Sequence, residues 1–172
     1  MKVESATFTR ADLDAFSDQL LEHERLVLAE RLEKASARLA ALGPRIKAGH
    51  GSGDWSAHEV LAHISVLSKF YGVLVYKISS GQLTELDILG NVHLRDVLGE
   101  KLSEVPPAEL LEMALNDQAR ALKVLRSTDA PSLRREAKLE DGRSMSAESV
   151  ARYALINHLE THVDQLEQAL GE

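Results

Sequence analysis

The chain has 172 residues, with 20 Lys and Arg against 27 Asp and Glu, so its formal net charge is −7. This length suits one domain with one core. The acidic balance argues against nucleic acid and anionic membranes as partners, since both attract basic surfaces. The absence of cysteine excludes disulfides, thiolate zinc sites and a cysteine nucleophile, and it is compatible with the cytoplasm, where we expect the protein.

The first predicted helix runs from about Thr9 to Leu42. Thr9 and Asp12 form a capping box, and Gly43-Pro44 is a stop signal. At ~1.5 Å per residue this helix would be about 50 Å long, which is too long for a bundle of this size. We therefore expect a break or a protruding first part.

The second predicted helix begins at the capping box of Ser56 and Glu59 and ends near Ser80, before Gly81. Its apolar residues recur at steps of three and four along one stripe: Val60, Ile64, Leu67, Tyr71, Leu74 and Ile78. No apolar stretch of the chain reaches the ~18–20 residues that cross a bilayer. We therefore expect a buried helix and no membrane span.

A long connection, Leu83–Pro106, follows, with a short helix predicted after Asn91. Pro107 is placed as the first-turn proline of a third helix that reaches about Ser127. The residues predicted for its buried side are Leu111, Leu115, Leu122 and Leu125.

The loose alternation of Leu133–Glu140 and the turn Asp141-Gly142 are compatible with a short β-hairpin. The last helix is predicted from about Ser146 to Leu170, with one side formed by Ala151, Leu155, Leu166 and Ala169. The fold class is therefore all-α: four main antiparallel helices with one long crossover connection.

Two histidines of the last helix, His158 and His162, are four residues apart. This spacing sets their rings ~40° out of register and ~6 Å apart along the axis, so both can reach one ion. Because Leu155 and Leu166 share their stripe, both rings are predicted to face the interior. Buried imidazoles need partners for the N–H and the lone pair, and a shared metal ion or bonds to waters and carbonyls would supply them.

His63 lies at the edge of the buried stripe of the second helix. Together with the late pair it would give a three-imidazole site with open positions, as a catalytic metal requires. A packed histidine is the alternative. His58 is not part of an H-E-x-x-H motif, because five residues turn it about 140° from His63. We expect the other histidines to be solvated: His23, His50, His58 and His93.

Three stretches resemble the DinB/YfiT-like superfamily: Trp55-Ser56, the segment HEVLAHISVLSKFY that follows, and NHLETHVDQLEQAL near the end. The likeness covers nearly the whole chain in length and helix order. It implies a four-helix bundle that is often a homodimer and binds one divalent metal through three histidines. Carried over by position, the metal ligands are His63, His158 and His162, and Gln165 matches the glutamine that commonly follows.

The sequence departs from the family pattern at two positions. Many relatives have a histidine directly before the last ligand and a basic residue after it, where this chain has Thr161 and Val163. Glu59, one turn before His63, could accept a hydrogen bond from that ring, although capping the helix is its first role.

The resemblance leaves three hypotheses for the function. The first is a metalloenzyme with a small-molecule substrate, either a metal-dependent hydrolase or an S-transferase that uses a low-molecular-weight thiol. Its reactive group would be a metal-activated water or the cofactor thiol, and the divalent transition metal would be Zn or Ni. The second is a non-catalytic, metal-stabilised dimeric binding or stress-protection protein. The third has no metal and treats the histidines as core packing.

Overall fold

The computed structural model describes residues 9–52, 55–87, 90 and 101–171. Its long helices are α1 (Arg10–Leu42), α2 (Ala57–Ser79), α3 (Pro107–Ser127) and α5. Helix α5 has three consecutive segments: an α-helical turn at Ala147–Ser149, a π-helical segment at Val150–Asn157 and an α-helical part at His158–Leu170. A 3₁₀ turn (Gly43–Arg45) follows α1, and the short helix α4 (Ala130–Leu133) follows α3. The prediction of an all-α four-helix bundle is confirmed.

Hydrogen bonds between the helices define their directions. Arg25, at the middle of α1, donates to the carbonyl of Leu125 at the end of α3, 2.8 Å away, and Gly43, just after α1, lies against Leu111 in the first turns of α3, so these two helices are antiparallel. Gln118 donates to Ser68 at 3.0 Å at the middle of α3 and α2, and a turn further along each helix Gly72 lies against Ala121, so these two helices run parallel.

The last helix runs parallel to α1. Arg152, early in α5, donates to Glu24 at 2.6 Å, and Arg45, just after α1, donates to the last carbonyl of α5 at Leu170, 2.7 Å away. The four long helices α1, α2, α3 and α5 therefore run up, down, down and up. The predicted long crossover between α2 and α3 is confirmed, but the expectation that all neighbours are antiparallel is wrong, because that crossover returns the chain to the end of the bundle from which α2 started.

The helix ends follow the local chemistry of the sequence. Thr9 and Asp12 form a reciprocal capping box at α1, and Ser56 and Glu59 form one at α2. The side chains of the two boxes satisfy backbone N–H groups that have no partner inside the helix. Pro107 opens α3 as predicted, at a position where its missing N–H costs no hydrogen bond.

Helix α1 is continuous over its 33 residues. Its first part protrudes, since Leu13, Phe16 and Leu20 are between 54% and 58% exposed while Leu28 and Leu32 are fully buried. The predicted protrusion is therefore confirmed, and the helix has no break.

The core lies between the four long helices. Its fully buried large side chains include Leu28, Leu32, Leu39, Leu61, Ile64, Ile78, Leu110, Leu125, Leu155 and Leu166. In α3 the buried stripe is centred one residue earlier than predicted, on Leu110, Ala114, Ala121 and Leu125, because Leu111, Leu115 and Leu122 are only half-buried.

A three-stranded sheet caps the end of the bundle at which α2 ends. Strands β2 (Glu136–Leu139) and β3 (Ser144–Ser146) form the predicted antiparallel hairpin around Asp141-Gly142. Gly142 has φ +84°, a left-handed conformation that favours glycine. Strand β1 (Glu85–Leu86) pairs parallel with β2 and was not predicted. Leu133 is the last residue of α4, so strand β2 begins later than the alternation from Leu133 predicted.

Two sequence predictions, the short helix after Asn91 and the exposure of His93, lie outside the described residues. Among those described, α2 alone is long and apolar enough by composition to cross a membrane, and 56% of its most apolar window is buried in the bundle. Such burial is typical of the core helix of a bundle.

The expectation that His58 is exposed is wrong. Its side chain is only 4% exposed. The Nδ1 atom accepts a hydrogen bond from the backbone N–H of Gly49 at 3.2 Å, and Nε2 donates to the carbonyl of Val105 at 2.7 Å. The ring therefore ties the loop before α2 and the end of the crossover to the first turn of α2.

We expect His58→Ala to lower the free energy of unfolding by about 2 kcal/mol or more, because it leaves two backbone groups unsatisfied beside a cavity. Urea unfolding followed by circular dichroism measures this change. The exposed His23 on α1 provides the control, and His23→Ala should change stability by less than about 0.5 kcal/mol. Equal effects of the two substitutions would contradict the buried role of His58.

Candidate metal centre

Three half-buried histidines meet between α2 and α5. His63 lies in the second turn of α2, which the Ser56–Glu59 box starts, and His158 and His162 lie on successive turns of the α-helical part of α5. The ring centroid of His162 is 4.7 Å from that of His63 and 4.7 Å from that of His158. The centroids of His63 and His158 are 5.4 Å apart. The structure thus brings together the three residues that the sequence singled out.

The donor atoms of this cluster suit a metal ion. One ring nitrogen from each histidine lies within 4.8 Å of the others, and within the described chain no carboxylate belongs to the group. Two nitrogens bound to one ion at about 2.1 Å can be at most about 4.2 Å apart, so small ring rotations would close the cluster around an ion. The Nε2 atom of His162 is buried with no hydrogen-bond partner, which is costly for a polar atom unless a ligand is bound there.

Gln165 orients the ring of His162. Its Oε1 lies 3.0 Å from Nδ1 of His162, so Nδ1 carries the proton and donates to the amide oxygen. This tautomer leaves the lone pair on Nε2. Burial lowers the pKa of His162, which Gln165 partly offsets, and the ring is therefore kept neutral, as a metal ligand must be.

The carboxylate of Glu59 is engaged at the start of α2. It accepts hydrogen bonds from the backbone N–H groups of Ser56 and Gly51 at 2.8 and 2.9 Å, and His50 lies 3.5 Å away. These bonds lower the pKa of Glu59 to about 2. The structure therefore shows Glu59 in its capping role, and its predicted bond to His63 stays a prediction.

Aromatic rings stand on two sides of the cluster. The indole centroid of Trp55 is 4.8 Å from that of His63 and 6.3 Å from that of His162. The ring of Tyr71, two turns after His63, lies 6.5 Å from that of His158. The sequence placed Trp55 before the helix cap but did not show that its ring would reach the last helix.

The π-helical segment decides which way the late histidines point. If α5 were a regular α-helix, turning ~100° per residue from Ala147, its buried residues would point in two directions roughly 130° apart about the helix axis. The first group is Ala147, Val150 and Ala151, and the second is Leu159, Val163 and Leu166. A π-helix turns only about 82° per residue, so the rotation over eight π-helical residues is roughly 140° less than in an α-helix of the same length. This smaller rotation brings the two groups onto one buried stripe.

The same rotation moves His158 and His162 to the edge of that stripe. In a regular α-helix both would share the face of Ala147 and Ala151 and point into the core, as the sequence predicted. The structure corrects this, since both rings are half-buried at the margin, where His63 meets them. Ala169, predicted on the buried side, is exposed for the same reason.

Comparison with known proteins supports the fold. The mycothiol-dependent maleylpyruvate isomerase superposes with a TM-score of 0.65 at 19% sequence identity, over 84% of this chain and 60% of that enzyme. This chain thus spans about three fifths of the length of the isomerase. YfiT from Bacillus subtilis, described as a probable metal-dependent hydrolase with an unusual four-helix bundle topology, gives 0.64 at 12% identity over 99% of this chain and 94% of YfiT.

No family model matches the sequence, and no curated protein matches it significantly. The structural likeness to YfiT nevertheless covers nearly the whole chain. The chain therefore shares the four-helix fold of YfiT and of the isomerase, the fold that the resemblance found in the sequence implies.

We expect deletion of Tyr153, a residue 64% exposed, to convert the π-helical segment into α-helix without turning the histidines away from His63. At ~100° per residue the shortened helix keeps its buried residues on one side, with His158 just outside one edge of that side and His162 just inside it. The urea midpoint should therefore change little. Deletion of the exposed Thr161 should turn residues 162–170 by about 100° and cost more than about 2 kcal/mol. Equal losses of stability in the two deletion variants would contradict this explanation of the π-helical segment.

Proposed function

We propose that this protein is a metalloenzyme whose divalent transition metal is held by His63, His158 and His162. The observation that carries the proposal is the convergence of three imidazole nitrogens within 4.8 Å, from two antiparallel helices, with Nε2 of His162 buried and unpartnered. Imidazole suits Zn and Ni, which are the first metals to test.

The roles of the chain's residues follow from their positions. Three neutral imidazoles would leave the charge of a dication uncompensated, and their arrangement would leave positions open on the solvent side. The bound ion would act as a Lewis acid that activates a water or thiol. Gln165 holds the tautomer of His162, and the capping box of Ser56 and Glu59 fixes the start of the helix that carries His63.

Two reaction classes fit this site, hydrolysis and transfer that depends on a low-molecular-weight thiol. The similar structures support both, since one is described as a probable metal-dependent hydrolase and another as a mycothiol-dependent isomerase. Both classes need an ion with open positions beside a surface that accepts a small-molecule substrate. We therefore propose a small-molecule substrate for this site.

The remaining proposals concern the oligomeric state and the cellular location of the protein. A homodimer in the cytoplasm is proposed from the family resemblance, and the exposed apolar stripe of Leu13, Phe16 and Leu20 on α1 offers surface for a second copy. Analytical ultracentrifugation tests the dimer.

We expect untagged protein to contain about one equivalent of a transition metal and His162→Ala to lose most of it, because three ligands are needed to hold the ion. Elemental analysis of protein purified without chelator measures the content. His23→Ala, which removes an exposed histidine of α1, should retain the metal. Chelation should also lower the melting temperature of the wild type, since the ion binds only the folded state. Equal, near-zero metal in every protein after reconstitution would reject the proposal.

Activity separates an enzyme from a metal-stabilised binding protein. The metal-loaded protein is assayed for hydrolysis of ester and amide substrates and for transfer with mycothiol, bacillithiol and glutathione. Turnover that disappears in His162→Ala supports the enzyme and identifies the reaction class. A protein that binds metal but turns over no substrate in either panel would instead be the non-catalytic binding protein.

We expect Gln165→Ala to weaken metal affinity by about 10–100-fold, because the ring of His162 loses the acceptor that fixes its tautomer. Competition with a chromophoric chelator measures the dissociation constant. Gln168→Ala, at an exposed glutamine one turn further along α5, is the matched control and should leave the affinity unchanged. An unchanged affinity in both variants would show that Gln165 has no part in the site.

A further inference from the structure

One apolar surface beside the candidate metal centre has no role in holding the ion. Trp55 cannot ligate a metal, yet its ring lies against two of the three histidines. The residue is 51% exposed, so about half of its surface is open to solvent next to the site. A surface of this kind beside a metal with open positions is suited to contact whatever binds there.

Aromatic residues are scarce in this chain, which has three Phe, three Tyr and one Trp among 172 residues. Among the residues that the structure describes, Trp55 and Tyr71 have ring centroids within 6.5 Å of a histidine of the cluster. Trp55 is the more exposed of the two, since Tyr71 is half-buried. The open aromatic surface at this end of α2 is therefore the indole.

The orientation of the indole favours a flat ligand. Its plane lies within 24° of the plane of His162, so the two rings present roughly parallel faces with centroids 6.3 Å apart. A planar group can lie against an indole in an offset stack while a donor atom at its edge reaches toward the imidazole nitrogens. The uncompensated charge of a dication held by three neutral imidazoles favours an anionic donor.

We propose that Trp55 is a specificity-determining residue that selects ligands with an anionic metal-binding group on a planar, unsaturated body. This inference rests on the proposed metal site. It assigns to Trp55 a contact with the substrate, separate from holding the metal. The other role that its position allows is purely structural, since an apolar residue before a helix cap commonly packs on the first turns of the helix.

Two hydroxamates with the same chelating group and ring size test the proposal on protein loaded with Co²⁺. Benzohydroxamate carries a planar ring and cyclohexanecarbohydroxamate a saturated one. Spectral titration of the Co²⁺ bands gives both dissociation constants. The two chelating groups differ in acidity, so the ratio of the constants is compared between wild type and variant, where the contribution of the metal is the same. We expect the preference of the wild type for the planar ligand to exceed that of Trp55→Leu by about two- to tenfold.

Trp55→Leu should lose this part of the preference while Co²⁺ still binds, because leucine keeps apolar packing at the start of α2 and loses the aromatic face. Trp55→Phe should retain part of it. Tyr76→Leu removes another exposed aromatic ring, about 20 Å further along α2 than His63, and should leave the ratio unchanged.

The outcomes separate this inference from the metal site itself. If the wild type binds Co²⁺ and both hydroxamates and the ratio of their dissociation constants is the same in Trp55→Leu, the role of Trp55 is overturned and the metal site stays intact. A wild type that binds no Co²⁺ would overturn the metal site and, with it, this inference.

Discussion

The geometry of the candidate centre depends on how α5 satisfies two demands at once. The helix has to bury one continuous apolar stripe, and it has to present two histidines at the edge of that stripe, toward α2. An ordinary α-helix with this sequence cannot do both, because the direction of its buried apolar residues changes between Ala151 and Leu159. The π-helical turns absorb the change, and burial of the leucines on both sides compensates for their weaker backbone hydrogen bonds.

The flank of α5 away from the histidines holds the helix in place along α1. Arg31 donates to Asn157 at 2.7 Å and also pairs with Glu160, and Arg38 bridges Asp164 and Glu167 at 2.5 and 2.6 Å. Each pair is partly exposed, so it adds little stability by itself. A row of bidentate contacts between two parallel helices nevertheless fixes their relative position along the axis, and with it the height at which His158 and His162 face α2.

Much of the bundle could be predicted because its signals are local. The capping boxes at Thr9 and Ser56, the proline that opens α3 and the Asp141-Gly142 turn each involve residues within a few positions of one another. The three histidines were found from their spacing and from the family resemblance. The direction of the late pair was predicted wrongly, because a fixed turn of ~100° per residue does not allow for a π-helix.

Contacts between distant parts of the chain could not be predicted from the sequence. His58 is buried only because Gly49 and Val105, which lie on two different connections, meet over its ring. Strand β1 forms only because β2 offers it an edge. The parallel course of α2 and α3 follows from the long crossover, whose length was visible in the sequence although its path was not.

The position of Trp55 has a practical consequence. It is the one tryptophan of the chain, and its ring packs on two histidines of the cluster. Emission excited at the red edge of the protein absorption band therefore originates at this site alone, with no background from other indoles. Intrinsic fluorescence can thus follow events at the centre in the unlabelled protein, including quenching by a paramagnetic ion.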